Sequence, residues 1–174
     1  GAGTAGSVVA NRLTADGKTR VLLLEAGGPD WHPLMRMPIG FLRALNRKFL
    51  NWNYVSEPEP SYNNRSIPVP RGHVLGGSSS INGMFHIRGH RDDFNDWRDL
   101  GNTGWGYEDV LPYFKRSETN YRGEGKYHGG SGPIQGRPID TTKLLEQPLR
   151  KAVHEAGYGE TEDYDGERQD GFGH

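Results

Sequence analysis

Residues 1–28 read GAGTAGSVVANRLTADGKTRVLLLEAGG, a glycine turn, then a helical pattern, then an apolar run. Gly1, Gly3 and Gly6 fit the spacing G-x-G-x-x-G. In such a turn the first glycine permits the tight strand-to-helix reversal. The second lets a phosphate reach the backbone, and the third lets the helix pack close on its strand. Val8, Val9 and Leu13 form a stripe that predicts a helix over residues 4–15, closed at Gly17 by a left-handed cap. Val21, Leu22, Leu23 and Leu24 predict a strand over residues 20–25, apolar on both faces as a covered parallel strand requires. Glu25 ends that run 19 residues after Gly6, close to the roughly 20 expected for a carboxylate that accepts from ribose hydroxyls. It would repel a 2′-phosphate. The stretch is the second part of a βαβ unit whose first strand is not among these residues. The chain is therefore expected to be an internal piece of a longer protein.

The rest of the composition agrees with one cofactor-binding domain and part of another. The chain has 174 residues, 26 of them glycine and 33% hydrophobic. The glycines cluster without a fixed period, which points to loops that approach something closely. A net charge of −1 supplies no basic excess for nucleic acid. No apolar run approaches the roughly 20 residues that span a bilayer. The absence of cysteine excludes disulfides, thiolate metal sites and a cysteine nucleophile.

Beyond residue 28 the pattern loosens. Seven prolines lie between Pro29 and Pro70, which predicts a meandering segment with a short helix over residues 41–50. Helices are expected over residues 92–100 and 105–117. In the second, Val110, Leu111 and Phe114 share a face, and Pro112 is tolerated only near the first turn. A short strand is expected at residues 133–135 and an amphipathic helix at 144–156. Residues 160–170 hold six acidic side chains without a calcium-loop pattern, and are expected to be a solvated loop. Residues 1–140 are taken as the cofactor-binding portion. Residues 141–174 are taken as a helix and loop that begin the remainder of the protein.

A second glycine-rich stretch, RGHVLGGSSSING at residues 71–83, is too specialised for a linker, because Val74, Leu75 and Ile81 are embedded in it. Its serines and successive N–H groups suit an anion. Asn82 both donates and accepts, which suits the heteroatom edge of a flavin. At this stretch the chain resembles the glucose–methanol–choline oxidoreductases. The resemblance rests on GxGxxG, on Leu22 to Gly28, on Gly76 to Gly83, and on the landmarks Asn51-Trp52-Asn53-Tyr54, Arg88-Gly89, Asp96-Trp97 and Gly104-Trp105-Gly106-Tyr107. It runs through essentially the whole chain. His73 and His86 depart from the residues usual at their positions.

The resemblance implies an α/β, Rossmann-like fold with long loop and helical insertions, binding FAD. It places Gly1, Gly3, Thr4, Ala5 and Gly6 at the pyrophosphate and Glu25 at the adenosine ribose. Arg71 and Gly77 belong to the second loop. Ser78, Asn82, Gly83 and Phe85 lie along the flavin end, with Val74 and Met84 as nearby contacts. Some relatives carry a histidine that bonds the flavin covalently. Ile81 stands at that position here, so non-covalent FAD is expected. The implied activity is oxidation of a small alcohol, choline-like or another primary alcohol, by hydride transfer to flavin. The family's catalytic histidine lies near the carboxyl terminus, in a region these residues do not match. No catalytic residue is assigned, and residues 1–174 alone are not expected to turn over substrate. Two other readings stay open: an NAD-dependent Rossmann dehydrogenase, which leaves residues 71–83 without a role, and an FAD-containing lyase with no net redox chemistry. The electron acceptor is unspecified. The location is expected to be cytoplasmic or membrane-peripheral. No metal is expected, because the seven histidines show no helical metal-binding spacing. Trp52, Trp97 and Trp105 are expected to pack rather than to stack on a ligand.

Overall fold

In a computed structural model of the chain, residues 1–138 and 145–173 are described. They form two compact units, Gly1–Phe85 and His86–His174.

In the first unit the glycine turn leads into helix α1, Thr4–Leu13. Its first backbone bond runs from the Ser7 N–H to the Gly3 carbonyl at 2.9 Å. The N–H groups of Thr4, Ala5 and Gly6 precede that ladder and stay open at the helix mouth. Gly17 takes the left-handed conformation expected of it, with φ 68°. Residues 20–25 do not form the strand that their pattern predicts. They run outside any strand, and Leu22 is 83% exposed. An extended segment becomes a strand only when a neighbour supplies carbonyls and N–H groups in register. Among the described residues none lies alongside.

The meandering segment contains helices α2, Pro33–Arg36, and α3, Phe41–Ala44, the latter shorter than the expected span. Strands β1, Tyr54–Val55, and β2, Pro68–Val69, pair antiparallel. The core of this unit gathers Ala44, Leu50, Val74 and Ile81, with Leu34, Met35 and Leu45 packed against them. Two of its four members come from the 71–83 loop, so that loop is anchored by apolar side chains while Ser78 and Ser79 stay exposed. Leu50→Ala is expected to cost about 2–5 kcal/mol of stability, read as a lower midpoint in urea unfolding of the full-length protein.

The second unit holds helices α4, Arg91–Asp99, and α5, Tyr107–Ser117. His90 caps α4 reciprocally: its Nδ1 accepts from the Asp92 N–H at 3.3 Å, and Asp93 accepts from the His90 N–H at 3.0 Å. Phe94 joins the two helices, its ring 5.6 Å from that of Phe114 and 5.8 Å from that of Trp97. Pro112 lies in the sixth position of α5 rather than in the first turn. Having no N–H, it leaves the Glu108 carbonyl without its usual helical donor. Strands β3, Glu118–Thr119, and β4, Ile134–Gln135, pair in parallel. Helix α6 spans Glu146–Glu155; Leu144, the expected first residue, lies outside the described residues. Among the described residues no helix is long and apolar enough to cross a membrane.

Residues 160–170 are not the solvated loop that their acidity suggests. Thr161 and Asp165 are buried. Asp165 accepts from the Arg88 backbone N–H at 2.8 Å. Gln169 accepts from the Arg91 N–H at 2.9 Å, and the Arg91 guanidinium donates to the Glu167 carbonyl at 2.6 Å. A buried carboxylate needs such partners, and these stand more than 70 residues earlier in the chain.

Candidate cofactor-binding site

The two glycine-rich motifs meet in the first unit. The Gly76 N–H donates to the Ala2 carbonyl at 2.9 Å and the Leu75 N–H to the Gly28 carbonyl at 2.8 Å. Parallel bridges Gly3–Gly76 and Gly28–Val74 result. On its other side the loop is held by the 50–52 segment, where the His73 N–H donates to the Leu50 carbonyl at 2.8 Å and the Trp52 N–H to the Arg71 carbonyl at 2.9 Å. Thus the 71–83 loop fills the position beside the opening turn that a neighbouring strand would hold. Closeness there demands the absence of side chains: a Cβ on Gly77 would sit 2.9 Å from the Gly3 Cα.

An open cleft of about 660 Å³ lies along this junction, lined by Gly1, Gly3, Glu25, Arg71, Gly77 and Ser78 among others. Its size is that of a ligand site. Glu25 is fixed by two backbone donors, Ala2 N–H to Oε2 at 2.6 Å and Gly27 N–H to Oε1 at 2.9 Å. The Gly27 and then the Ala2 N–H hold its carboxyl below the usual carboxylate range. It is ionised at neutral pH, and a carboxylate has further lone pairs for hydroxyl donors. The Arg71 guanidinium donates to the Pro70 carbonyl at 2.7 Å and lies at the cleft wall, in no ion pair among the described residues.

Ser78 apart, the other predicted site residues do not line this cleft. Thr4, Ala5 and Gly6 stand at the mouth of α1, where open N–H groups favour an anion. Ser78 accepts from the Gly72 N–H at 3.1 Å through its hydroxyl. Asn82 and Met84 line a second, smaller cavity of about 110 Å³, walled also by Leu34, Met35 and Phe41. The Asn82 side chain accepts from the Met84 N–H at 3.0 Å, and Met84 takes φ 62°, a conformation that non-glycine residues seldom adopt. Gly83 is next to the Phe85 ring, which is largely exposed. Val74 is fully buried in the core.

Sequence pattern names Trp52 and Asn51 as landmarks but gives neither a role at this site. Trp52 does not pack into a core: it is half exposed, lines the cleft with Tyr54, and stacks on that ring at 6.0 Å with 2° between planes. Their spacing of two puts both on one face of an extended segment, which is the available signal. Asn51 is buried and accepts from the Arg71 N–H at 2.8 Å while donating to the Leu45 carbonyl at 2.6 Å. It sets the register between the two segments.

In the second unit His86, Glu118 and Asp165 bring their polar atoms within 4.8 Å of one another. The cation among them is Arg88, 2.6 Å from Glu118 and 4.0 Å from Asp165. This is an ion-pair network of side chains.

A glycine turn at a helix mouth, an ionised carboxylate beside it and a second glycine loop along the same cleft define a Rossmann-like α/β fold built for a dinucleotide-type cofactor. The family profile described as GMC oxidoreductase matches residues 1–174, and the chain belongs to the glucose–methanol–choline oxidoreductase family. It is 50% identical over 173 residues to a protein of Rhizobium etli named oxygen-dependent choline dehydrogenase, matching 99% of this chain and 32% of that protein. Among solved structures, pyridoxine 4-oxidase from Mesorbium loti superimposes with a TM-score of 0.80 at 33% identity, over 94% of this chain and 32% of that one. Formate oxidase gives 0.82 at 32% identity, over 100% of this chain and 32% of that one. The chain thus spans about a third of the length of the curated relatives it matches.

Proposed function

We propose that the chain forms the FAD-binding portion of an oxidoreductase that acts on the CH–OH group of a small alcohol. The observation that carries this reading is the junction of the two glycine motifs, Gly76 N–H to Ala2 carbonyl at 2.9 Å, along a cleft that also holds Glu25 and Arg71. A nicotinamide dehydrogenase would use the first motif and leave the second without a role. In the proposed site the open N–H groups of Thr4, Ala5 and Gly6 and the Arg71 guanidinium receive the pyrophosphate. Glu25 accepts from the adenosine ribose. Ser78, Asn82, Gly83, Met84 and Phe85 hold the flavin end. Bound FAD would supply the acceptor for a hydride from the alcohol carbon.

The attachment is non-covalent in this reading, because Ile81 is a buried apolar residue with no nucleophilic atom. The proposed substrate is choline or another primary alcohol, a choice supported by relatives such as the Rhizobium etli protein. The experiment is anaerobic addition of choline and of simple primary alcohols to the full-length protein. Bleaching of the flavin absorbance is expected. A flavin that stays oxidised with every alcohol would sink the redox reading and favour a lyase.

Glu25→Gln is expected to raise the FAD dissociation constant about 10- to 100-fold, since hydrogen bonds to a charged group contribute about 1.5–3 kcal/mol. Titration of the apoprotein with FAD, monitored by flavin fluorescence, measures it. An unchanged constant would remove Glu25 from the ribose role.

A further inference from the structure

Residues 159–173 form a closed loop in the second unit. Its ends pair through the Thr161 N–H to the Phe172 carbonyl and the Phe172 N–H to the Gly159 carbonyl, both at 2.8 Å. The Arg88 N–H and Arg91 hold its middle. Glu160 ties the loop to α6 through an exposed pair, His154 Nε2 to Glu160 Oε1 at 2.7 Å, and through Arg150 at 3.1 Å. The second histidine tie is buried. His128, which precedes β4, places Nε2 2.7 Å from Asp163 Oδ2. Its ring is 9% exposed, against 29% for the Asp163 side chain.

The other ring nitrogen has two neighbours with opposite demands. Glu118 Oε1 lies 3.1 Å from Nδ1 and can only accept while ionised. Asn120 Nδ2 lies 2.9 Å away and can only donate. Its orientation is fixed, because Asn120 Oδ1 already accepts from the Arg122 N–H at 2.9 Å. A protonated imidazole donates from both nitrogens and bridges Glu118 and Asp163. A neutral one keeps its proton on Nε2 for Asp163 and accepts from Asn120 at Nδ1. Glu118 does not need the histidine in that state, for its Oε1 also accepts from Arg88 at 2.6 Å and from the Gly129 N–H at 2.9 Å. The neutral state fits this arrangement as it stands, whereas in the charged state the Nδ1–H turns to Glu118 and the Asn120 amide must move aside. Asp163 accepts from Nε2 in both states, but only the charged imidazole adds an ion pair to that hydrogen bond.

We propose that His128 is a pH-responsive pin that holds the 159–173 loop to the body of its unit, tight when the imidazole is charged and looser when it is neutral. The charged groups that face it are Glu118 from β3 and Asp163 from the loop. Behind Glu118 stands Arg88, which in turn faces Asp165 and, through Asp165, His86 at 3.9 Å. Histidine is the side chain whose charge ordinarily changes near neutral pH.

The test is amide hydrogen exchange of the full-length protein at about pH 5.5 and 8, corrected for the intrinsic pH dependence of exchange, with the amides of α4 as internal reference. In the wild type, protection of residues 160–172 is expected to fall about 3- to 10-fold at the higher pH, the effect of losing one ion pair, while α4 is unchanged. His128→Gln keeps a hydrogen-bonding side chain with no titration and is expected to remove that fall. Asp163→Asn, at the exposed side of the pair, serves if the buried substitution prevents folding, and is expected to flatten the profile too. Both variants are also measured on a His154→Gln background, which removes the other histidine tie of the loop; no pH-dependent fall in His154→Gln alone, or a fall that survives when Asp163→Asn is added to it, overturns the proposal.

Discussion

Replacing Arg88 by alanine is expected to lower the stability of the protein by about 3–5 kcal/mol, the cost of leaving a buried charge without its partner. The side chains of Arg88 and Glu118 are each 2% exposed, and they meet at 2.6 Å. The guanidinium also donates to the Tyr127 carbonyl at 2.7 Å and lies over the Phe114 ring at 5.1 Å. Truncation would therefore strand Glu118 and open a gap beside α5 in one step. Burial pushes the Glu118 carboxyl up, but the Gly129 N–H, Arg88 and His128 together outweigh it and hold the group below its ordinary value. With the folded value depressed, the linked stability is present above the unfolded carboxylate range and is lost as pH falls through the folded value. Arg88→Ala should weaken that acid dependence as well as the stability at neutral pH. The double replacement Arg88→Met with Glu118→Leu should cost less than Arg88→Ala alone, since it removes both charges and keeps volume. Urea unfolding of the full-length variants at pH 7 and pH 4 measures all three. A loss under about 1 kcal/mol for Arg88→Ala would mean that solvent reaches Glu118.

The second large effect is expected at Gly77. A valine there would bring a Cβ 2.9 Å from the Gly3 Cα, at a backbone φ of 59°. A β-branched residue in that conformation is a steric outlier, and the clash falls on backbone, which cannot turn aside. Gly77→Val is expected to part the two glycine motifs and lower FAD content at least about tenfold, since strain of 1–3 kcal/mol concentrated in the bound conformation suffices for that. Gly17→Ala is the control. Gly17 has φ 68° with nothing within 4 Å of a new Cβ, so it adds backbone strain without the clash and should retain FAD. Equal flavin content in Gly77→Val and the wild type would show that the junction does not shape the cofactor site.

Local chemistry makes much of this legible. The GxGxxG spacing and the helix after it act within a few residues and appear where the sequence puts them; Gly17 takes its left-handed conformation, although α1 is capped earlier, at Thr14, and its stripe Val8, Val9 and Leu13 is exposed. The 71–83 loop is readable as specialised because Val74 and Ile81 have no reason to sit in a linker, and both are in the core. The features that pattern misses depend on distant partners. Residues 20–25 have the composition of a covered strand but no neighbouring strand among the described residues. Asp165 looks like one more solvated acid because the Arg88 N–H that it binds is 77 residues away. Trp52 reads as a packing residue on size and apolarity, whereas its place at the cleft comes from the pairing of its N–H with Arg71, which no local pattern encodes.

The most direct measurement of the central claim is the cofactor content of the full-length protein as purified. We expect about one FAD per chain by absorbance, released completely into the supernatant on acid precipitation, in keeping with Ile81 in place of a bonding side chain. A protein that purifies without flavin and fails to take up added FAD, or that binds only a nicotinamide dinucleotide, would contradict the account. Flavin that stays with the precipitate would contradict its non-covalent part.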